Sequence, residues 1–470
     1  MPLLEREPKH RKEKDATFSK RQGTQIARIT ADIKRGPTVL ADELDLDPSV
    51  VNNVLTGGAP TDQVEEVIGG ITGAYPVSRL SLEVVRDDTD EGIIIMDPIN
   101  AERTKRTFER INGRGEKVKY YDYFDSAMSA MGPFRPERIH PLRTVKDSDP
   151  LNPEAVYNNG HFLHQVTLYV GPVNLYWKDS EGAHVVELST GDSSYKTPYI
   201  PHTFTNRDPH DEAYIMAVTF GSKLDIAVQQ ELSTLHPDQV SRALIDLTDS
   251  RKSFGDLLAQ KLNESLLSPL HFPEEETYLD QRRVEEIIKG ETIPNDTELK
   301  ILARELGINV RDLLPPDVVI SEEVVVKKYN ESQPRFFPDH NNRSYEILEL
   351  AGSTKTAATK SFSIKPLRAA ESKQSDLVST SHTFGFNYGN KPTILFWEGK
   401  CGRIKENLIE PKASFYIKPL VNHALRYERE PSKLMIVRVG GNLSGDTLFE
   451  LSSLPPKTLQ RISEESGLWY

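Results

Sequence analysis

The sequence predicts an α+β chain in which a helical module followed by a β-barrel occurs twice. Three observations carry this. Residues 26–72 and 253–317 place apolar side chains three and four apart, the period of a helix with one buried face. Residues 118–222 and 330–450 show short alternating runs broken by Gly, Pro, Asp and Asn, the pattern of half-buried strands in a small β-barrel or sandwich. The two patterns recur in the same order, and 470 residues exceed what one core usually supports.

Taken in order, residues 1–24 are highly charged, lack the apolar segment of a secretory signal and read as a solvated arm. Residues 25–117 hold QIARITADIKRG, LADELDLDPSVVNNVLTGG and PTDQVEEVIGGITG, helical runs punctuated by Gly and Pro that resemble a helix-turn-helix module, followed by a linker. Residues 118–250 hold QVTLYVGPVNLYW, HVVELSTGD and YIMAVTFG, the strands of a first barrel. Residues 251–328 repeat the helical module: VEEIIKGE and TELKILARELGINVRDLLPP follow the earlier pattern, with Gly290 opposite Gly57. Residues 329–470 form a second barrel and a tail, and TILFWEGK echoes VNLYWKDS so that Trp397 stands opposite Trp177.

Composition narrows the function. No run approaches eighteen apolar residues, which argues against a membrane partner. The single Cys401 excludes an internal disulfide framework and a multi-thiolate metal site, fitting a reducing, cytoplasmic setting. The net charge of −12 argues against broad nucleic-acid binding, because affinity for duplexes comes largely from Lys and Arg on phosphates.

The stretch NNGHFLHQ, residues 158–165, holds His161 and Gln165, and GDSSYKTPYIPHTFTN ends its polar run on His202. These segments resemble the two motifs of cupin barrels, with Gln165 where a Glu is usual. Pro198 lies one residue nearer the histidine than in the usual motif, and the glycine expected after it is absent. Residues four apart on a regular strand lie about 13 Å from each other, so the Gly160–His161 end must turn inward for His161 and Gln165 to share a metal. Two imidazoles and one oxygen leave positions open, which suits non-haem Fe(II). The plainer alternative is a polar barrel mouth whose residues satisfy one another. Strand alternation puts His164 on the opposite face as a packing residue. In the second copy His423 stands opposite His202, but Ser381-His382 falls opposite His161 and Gly385 opposite Gln165, so that barrel is expected to be structural.

A helix-turn-helix module fused to a cupin, duplicated, with YNNGH opening the metal strand, resembles the iron-dependent phosphonate oxygenases over nearly the whole chain. The resemblance implies Fe(II) held by His161, Gln165 and His202. The carboxylate that some members place six residues before the second histidine is here Lys196, which cannot serve, and this favours the branch with a glutamine ligand. It further implies that Lys34, Asn158, Tyr123 and Arg114 bind substrate, with Tyr123 and Lys34 also taking part in catalysis; a family serine is replaced by Ala217. The implied reaction is oxidative carbon–carbon cleavage of 2-hydroxyethylphosphonate with O2 as co-substrate and no 2-oxoglutarate or pterin. Methylphosphonate and CO2 are the expected products, hydroxymethylphosphonate and formate the alternative. The family tends to assemble, so a homo-oligomer, dimer or tetramer, is expected. The rival design is a DNA-binding regulator, but DPSVVNNVLTGG, the segment that would enter the groove, has no Lys or Arg.

Overall fold

Asp47 and Asn295 begin helices in the two helical stretches, the Asp47 side chain accepting from Ser49 N and the Asn295 side chain from Thr297 N and Glu298 N. A computed structural model describes residues 15–272, 279–399 and 402–464; Cys401 and residues 1–14 of the expected arm lie outside them. Residues 15–24 of the expected arm belong to a helix over Asp15–Asp32, which buries Gln22 and Ile26. Helices Pro37–Leu44, Pro48–Thr56 and Thr61–Ala74 complete the first stretch around Ile26, Leu40, Val51, Val54, Val67 and Ile71. In the second stretch, Ser250–Glu264, Gln281–Ile288 and Asp296–Leu306 pack around Leu258, Val284, Ile287 and Leu302. None of the described helices is long and apolar enough to cross a membrane.

The first half contributes strands β1 (Ile93–Met96), β2 (Arg106–Ile111), β3 (Lys117–Asp125), β4 (Phe134–Pro141), β5 (His164–Val170), β6 (Val173–Asp179), β7 (Gly182–Leu188), β8 (Ser193–Lys196), β9 (His202–Asn206) and β10 (Tyr214–Phe220). The second contributes β11 (Val324–Lys327), β12 (Arg335–Pro338), β13 (Arg343–Glu349), β14 (Thr359–Pro366), β15 (His382–Asn387), β16 (Thr393–Glu398), β17 (Ile404–Ile409), β18 (Ser414–Ile417), β19 (His423–Tyr427) and β20 (Leu434–Val439). They form two seven-stranded sheets, β11-β8-β5-β10-β4-β3-β2 and β1-β18-β15-β20-β14-β13-β12, and two three-stranded sheets, β7-β6-β9 and β17-β16-β19.

The closed barrels expected from the sequence are therefore corrected to open sandwiches, a large sheet against a small one in each half. Between β8 and β9 the chain carries Pro198 and Pro201, which cannot donate to a ladder, and β9 pairs only with β6. Ahead of residue 118, β2 lies in the first large sheet, and β1 and β11 lie in sheets of the opposite halves. β1, ahead of the first sandwich, pairs with β18 of the second, and β11, ahead of the second, pairs with β8 of the first. This exchange covers an edge of each large sheet. The outer faces of the two large sheets pack on each other through Leu168, Met216, Val218 and Phe220 against Phe384, Phe386, Met435 and Val437. Two matching hydrogen bonds cross the seam: Ala127 N donates to Ser414 Oγ at 2.8 Å, and Ala351 N to Ser193 Oγ at 2.8 Å. Helices Ile226–Leu232 and Pro237–Arg242 follow β10 where only barrel was expected.

Candidate metal centre

A bend at Phe162 and Leu163, ahead of β5, solves the spacing problem posed by His161 and Gln165, and Gly160 lets the preceding chain lie against Tyr199. The Gly160 φ of 73° lies in the left-handed region, and a Cβ there would stand 2.4 Å from the Tyr199 carbonyl carbon. The chain at Gly160 and His161 thus lies against Tyr199, held by Tyr199 N donating to His161 O at 2.8 Å. His161 Nε2 comes to 3.0 Å from Gln165 Oε1. The rings of His161 and His202 stand perpendicular with centroids 5.4 Å apart. Asn158 ties this turn to β9: its Oδ1 accepts from His202 N at 2.8 Å and from Gly160 N at 3.0 Å.

The donor set fits a metal ion. Two ligands about 2.1 Å from a metal and at a right angle stand about 3 Å apart, the separation of His161 Nε2 and Gln165 Oε1. His202 Nδ1 lies 2.7 Å from Ile200 O, so Nδ1 carries the proton and Nε2 keeps its lone pair. Burial, then the nearby Lys196, push His202 well below the usual imidazole range and keep it neutral. His161 Nδ1 is buried without a partner among the described residues. No three His, Cys, Asp or Glu side chains gather into a metal site among the described residues, and the oxygen that stands beside the two imidazoles is that of the Gln165 amide.

The three groups line a cavity of about 100 Å³ with Arg110, Tyr121, Tyr123, Arg135, Glu137 and Asn158. Ala217 and Thr219 add small walls to it. Arg110 donates to Val156 O and to Thr203 Oγ1 at 3.4 Å, and its guanidinium lies 5.0 Å from the Tyr121 ring centre. Burial raises the Glu137 carboxyl, opposed by Arg106 at 3.3 Å. A larger groove of about 470 Å³, lined by Asp90, Asp97, Trp397 and Glu410, brings no imidazole together.

His161, Gln165, His202, Asn158 and Tyr123 are thus gathered as expected. Arg114 is not: it is exposed on the Asn112–Glu116 turn, and the cavity arginines are Arg110 and Arg135, which the sequence reading passed over. Lys34 is exposed with φ 61° at the end of the first helix and does not line this cavity. His164 faces away, its Nδ1 2.8 Å from the Tyr195 hydroxyl, as strand alternation required.

The second half repeats the frame without the ligands. His423 Nδ1 lies 2.8 Å from Val421 O, as His202 Nδ1 does from Ile200 O. His382 Nδ1 lies 2.7 Å from the Tyr416 hydroxyl, which makes His382 the counterpart of His164 and Thr383 that of Gln165. The expected pairing of Gly385 with Gln165 is corrected accordingly.

No protein-family model matches the chain. It is 36% identical over 452 residues, 96% of its length and 95% of the relative's, to methylphosphonate synthase of Nitrosopumilus maritimus strain SCM1. Among solved structures it is similar to the hydroxyethylphosphonate dioxygenase of Streptomyces albus with 2-hydroxyethylphosphonate and Fe(II) bound. The identity is 29% and the TM-score 0.88, over 97% of this chain and all of that one. It shares its fold with PhpD holding cadmium, at 17% identity and TM-score 0.70 over 94% of this chain and 99% of that one. The chain therefore belongs to the methylphosphonate synthase family.

Proposed function

We propose that the protein oxidises 2-hydroxyethylphosphonate with O2 to methylphosphonate and CO2, using Fe(II) held by His161, Gln165 and His202. The observation that carries this is the convergence of two imidazoles and one amide oxygen on a cavity with two arginines, in a chain of this family. The bound iron supplies open positions where the substrate oxygens and O2 meet and a path for electrons between them. One 2-hydroxyethylphosphonate and one O2 balance to methylphosphonate, CO2 and water, so the reading needs no 2-oxoglutarate or other reductant.

The residues of the chain bind and orient. Arg110 and Arg135 offer cationic donors to the phosphonate oxygens, and the Asn158 amide, 3.4 Å from His202 Nε2 through its Nδ2, lies beside both ligand and substrate. Tyr121 and Tyr123 wall the cavity and exclude water, and burial keeps both hydroxyls protonated. Lys34, outside its own chain's cavity, enters as a cation for a neighbouring copy in a cytoplasmic homo-oligomer.

We also read each sandwich as an opened cupin and the helical stretches as copies of one helix-turn-helix-like module. Supporting this, Gly57 and Gly290 both have left-handed φ at helix ends, 78° and 70°, and a Cβ at Gly23 or Gly255 would strike a backbone carbonyl of a neighbouring helix at 2.4 or 2.5 Å. The acidic charge keeps nucleic acid and anionic membranes out of the list of partners.

The test is phosphorus NMR after anaerobic Fe(II) loading, addition of 2-hydroxyethylphosphonate and exposure to O2. Methylphosphonate is expected. Hydroxymethylphosphonate would move the protein to the dioxygenase reaction of its structural neighbour, and unchanged substrate would contradict both.

A further inference from the structure

Beneath the metal centre, β5 and β8 carry a polar chain that the mechanism has not used. Lys196 is 1% exposed and forms no ion pair among the described residues. Its Nζ donates to Ser194 Oγ at 3.1 Å and to Thr167 Oγ1 at 3.3 Å. Gln165 Nε2 donates to the same Thr167 oxygen at 2.7 Å, while Gln165 Oε1 faces His161. The Tyr169 hydroxyl, 2.7 Å from Ser194 Oγ, extends the chain into the core.

This arrangement decides something that packing cannot. The oxygen and nitrogen ends of an amide have nearly the same shape, so a glutamine's orientation is set by its hydrogen-bond partners. The Thr167 oxygen accepts from both Gln165 Nε2 and Lys196 Nζ, and its own O–H is engaged with the Tyr169 oxygen, which leaves no proton for an amide oxygen. Turning the amide over would set its oxygen against a hydroxyl oxygen already engaged by Lys196 and point an NH2, which has no lone pair for a metal, at the imidazoles. Orientation thus determines whether the centre has two donors or three.

We infer that Lys196 and Thr167 are positioning residues that fix the Gln165 amide with its oxygen toward the metal. The inference rests on the reading of His161, Gln165 and His202 as the metal set. The second half supports it, because ligand and support are replaced together. Register places Gln165 against Lys196 and Thr167 against Ser194 in the first half, and Thr383 against Ile417 and Gly385 against Phe415 in the second. The Phe415 ring fills the space there, 2.0 Å from where a Gly385 Cβ would stand.

A carboxylate has two equivalent oxygens and needs no such orientation, which supplies the test. Co(II) is titrated into the purified full-length protein and its visible d–d absorption followed, in the Gln165 and Gln165→Glu backgrounds, each with and without Thr167→Val. Thr167→Val is expected to weaken Co(II) binding about tenfold or more beside Gln165, and to leave it unchanged beside the glutamate. Thr167→Ser, which keeps the hydroxyl, restores binding, and Lys196→Met reproduces the loss should Thr167→Val not fold. Equal losses in both backgrounds, or none beside Gln165, overturn the positioning role while leaving the metal set standing. A wild-type protein with no Co(II) spectrum overturns the metal set and this inference with it.

Discussion

His161 and Gln165 stand four residues apart in sequence, yet His161 Nε2 and Gln165 Oε1 lie 3.0 Å apart because the chain bends at Phe162 and Leu163 ahead of β5. That contact brings together two residues that a straight strand would hold about 13 Å apart. Gly160→Ala puts a methyl group against the Tyr199 backbone at a left-handed φ, so His161 must swing out. The variant is expected to keep its fold by circular dichroism and to lose tenfold or more in Fe(II) affinity, about the cost of a disturbed ligand support. Undiminished affinity would mean that the close packing of Gly160 on Tyr199 is not what holds His161 in place.

Arg110 lines the cavity and Arg114 does not. Arg110→Gln is therefore expected to raise KM for 2-hydroxyethylphosphonate by about tenfold or more, the scale of one lost charge-assisted contact. Arg114→Gln should leave KM within about twofold, as exposed charges contribute little. Steady-state O2 uptake checks both, and the reverse pattern would restore the assignment made from sequence.

Replacing Gln165 by glutamate adds a negative charge beside the metal and a better donor than a neutral amide oxygen. The iron then keeps less positive charge, so the Gln165→Glu protein should hold the anionic substrate more weakly while still binding iron. Phosphorus NMR reports whether the product changes too. Unchanged affinity and products together would deny the amide a decisive role.

Burial pushes His140, His382 and His423 down to about 4. In the unfolded chain these imidazoles take up protons below about 6.5, whereas in the fold they stay neutral until near 4. The unfolded state thus binds more protons between those limits, and stability present above pH 6.5 is lost as pH falls toward 4, about 1.4 kcal/mol per pH unit for each imidazole. Thermal midpoints of the metal-free protein should fall through this window. A flat profile would show that these rings are not held neutral.

The centre was legible in the sequence where its parts are close together. Asn158, His161 and Gln165 share one short stretch, and Pro201-His202 marks the other side, so motif spacing reached all of them. Arg110, Arg135 and Glu137 arrive on strands whose arrangement depends on distant pairing, and β2 shifts register between Phe108 and Glu109, so alternation alone could not say which arginine faces inward. The Gly385 pairing slipped because the hairpin from β15 to β16 is longer than that from β5 to β6, and no constant offset survives it. The repeating order of helices and strands was legible from periodicity. The exchange of β1 and β11 was not, since four-residue apolar runs carry no sign of which sheet they will join.

Iron stoichiometry after anaerobic loading and desalting shows whether the first half alone holds a metal. One Fe(II) per chain is expected, abolished by His202→Ala, strongly weakened by Gln165→Ala, and retained in a variant of the second half such as His423→Asn. Two irons per chain, or iron that survives His202→Ala, would contradict it.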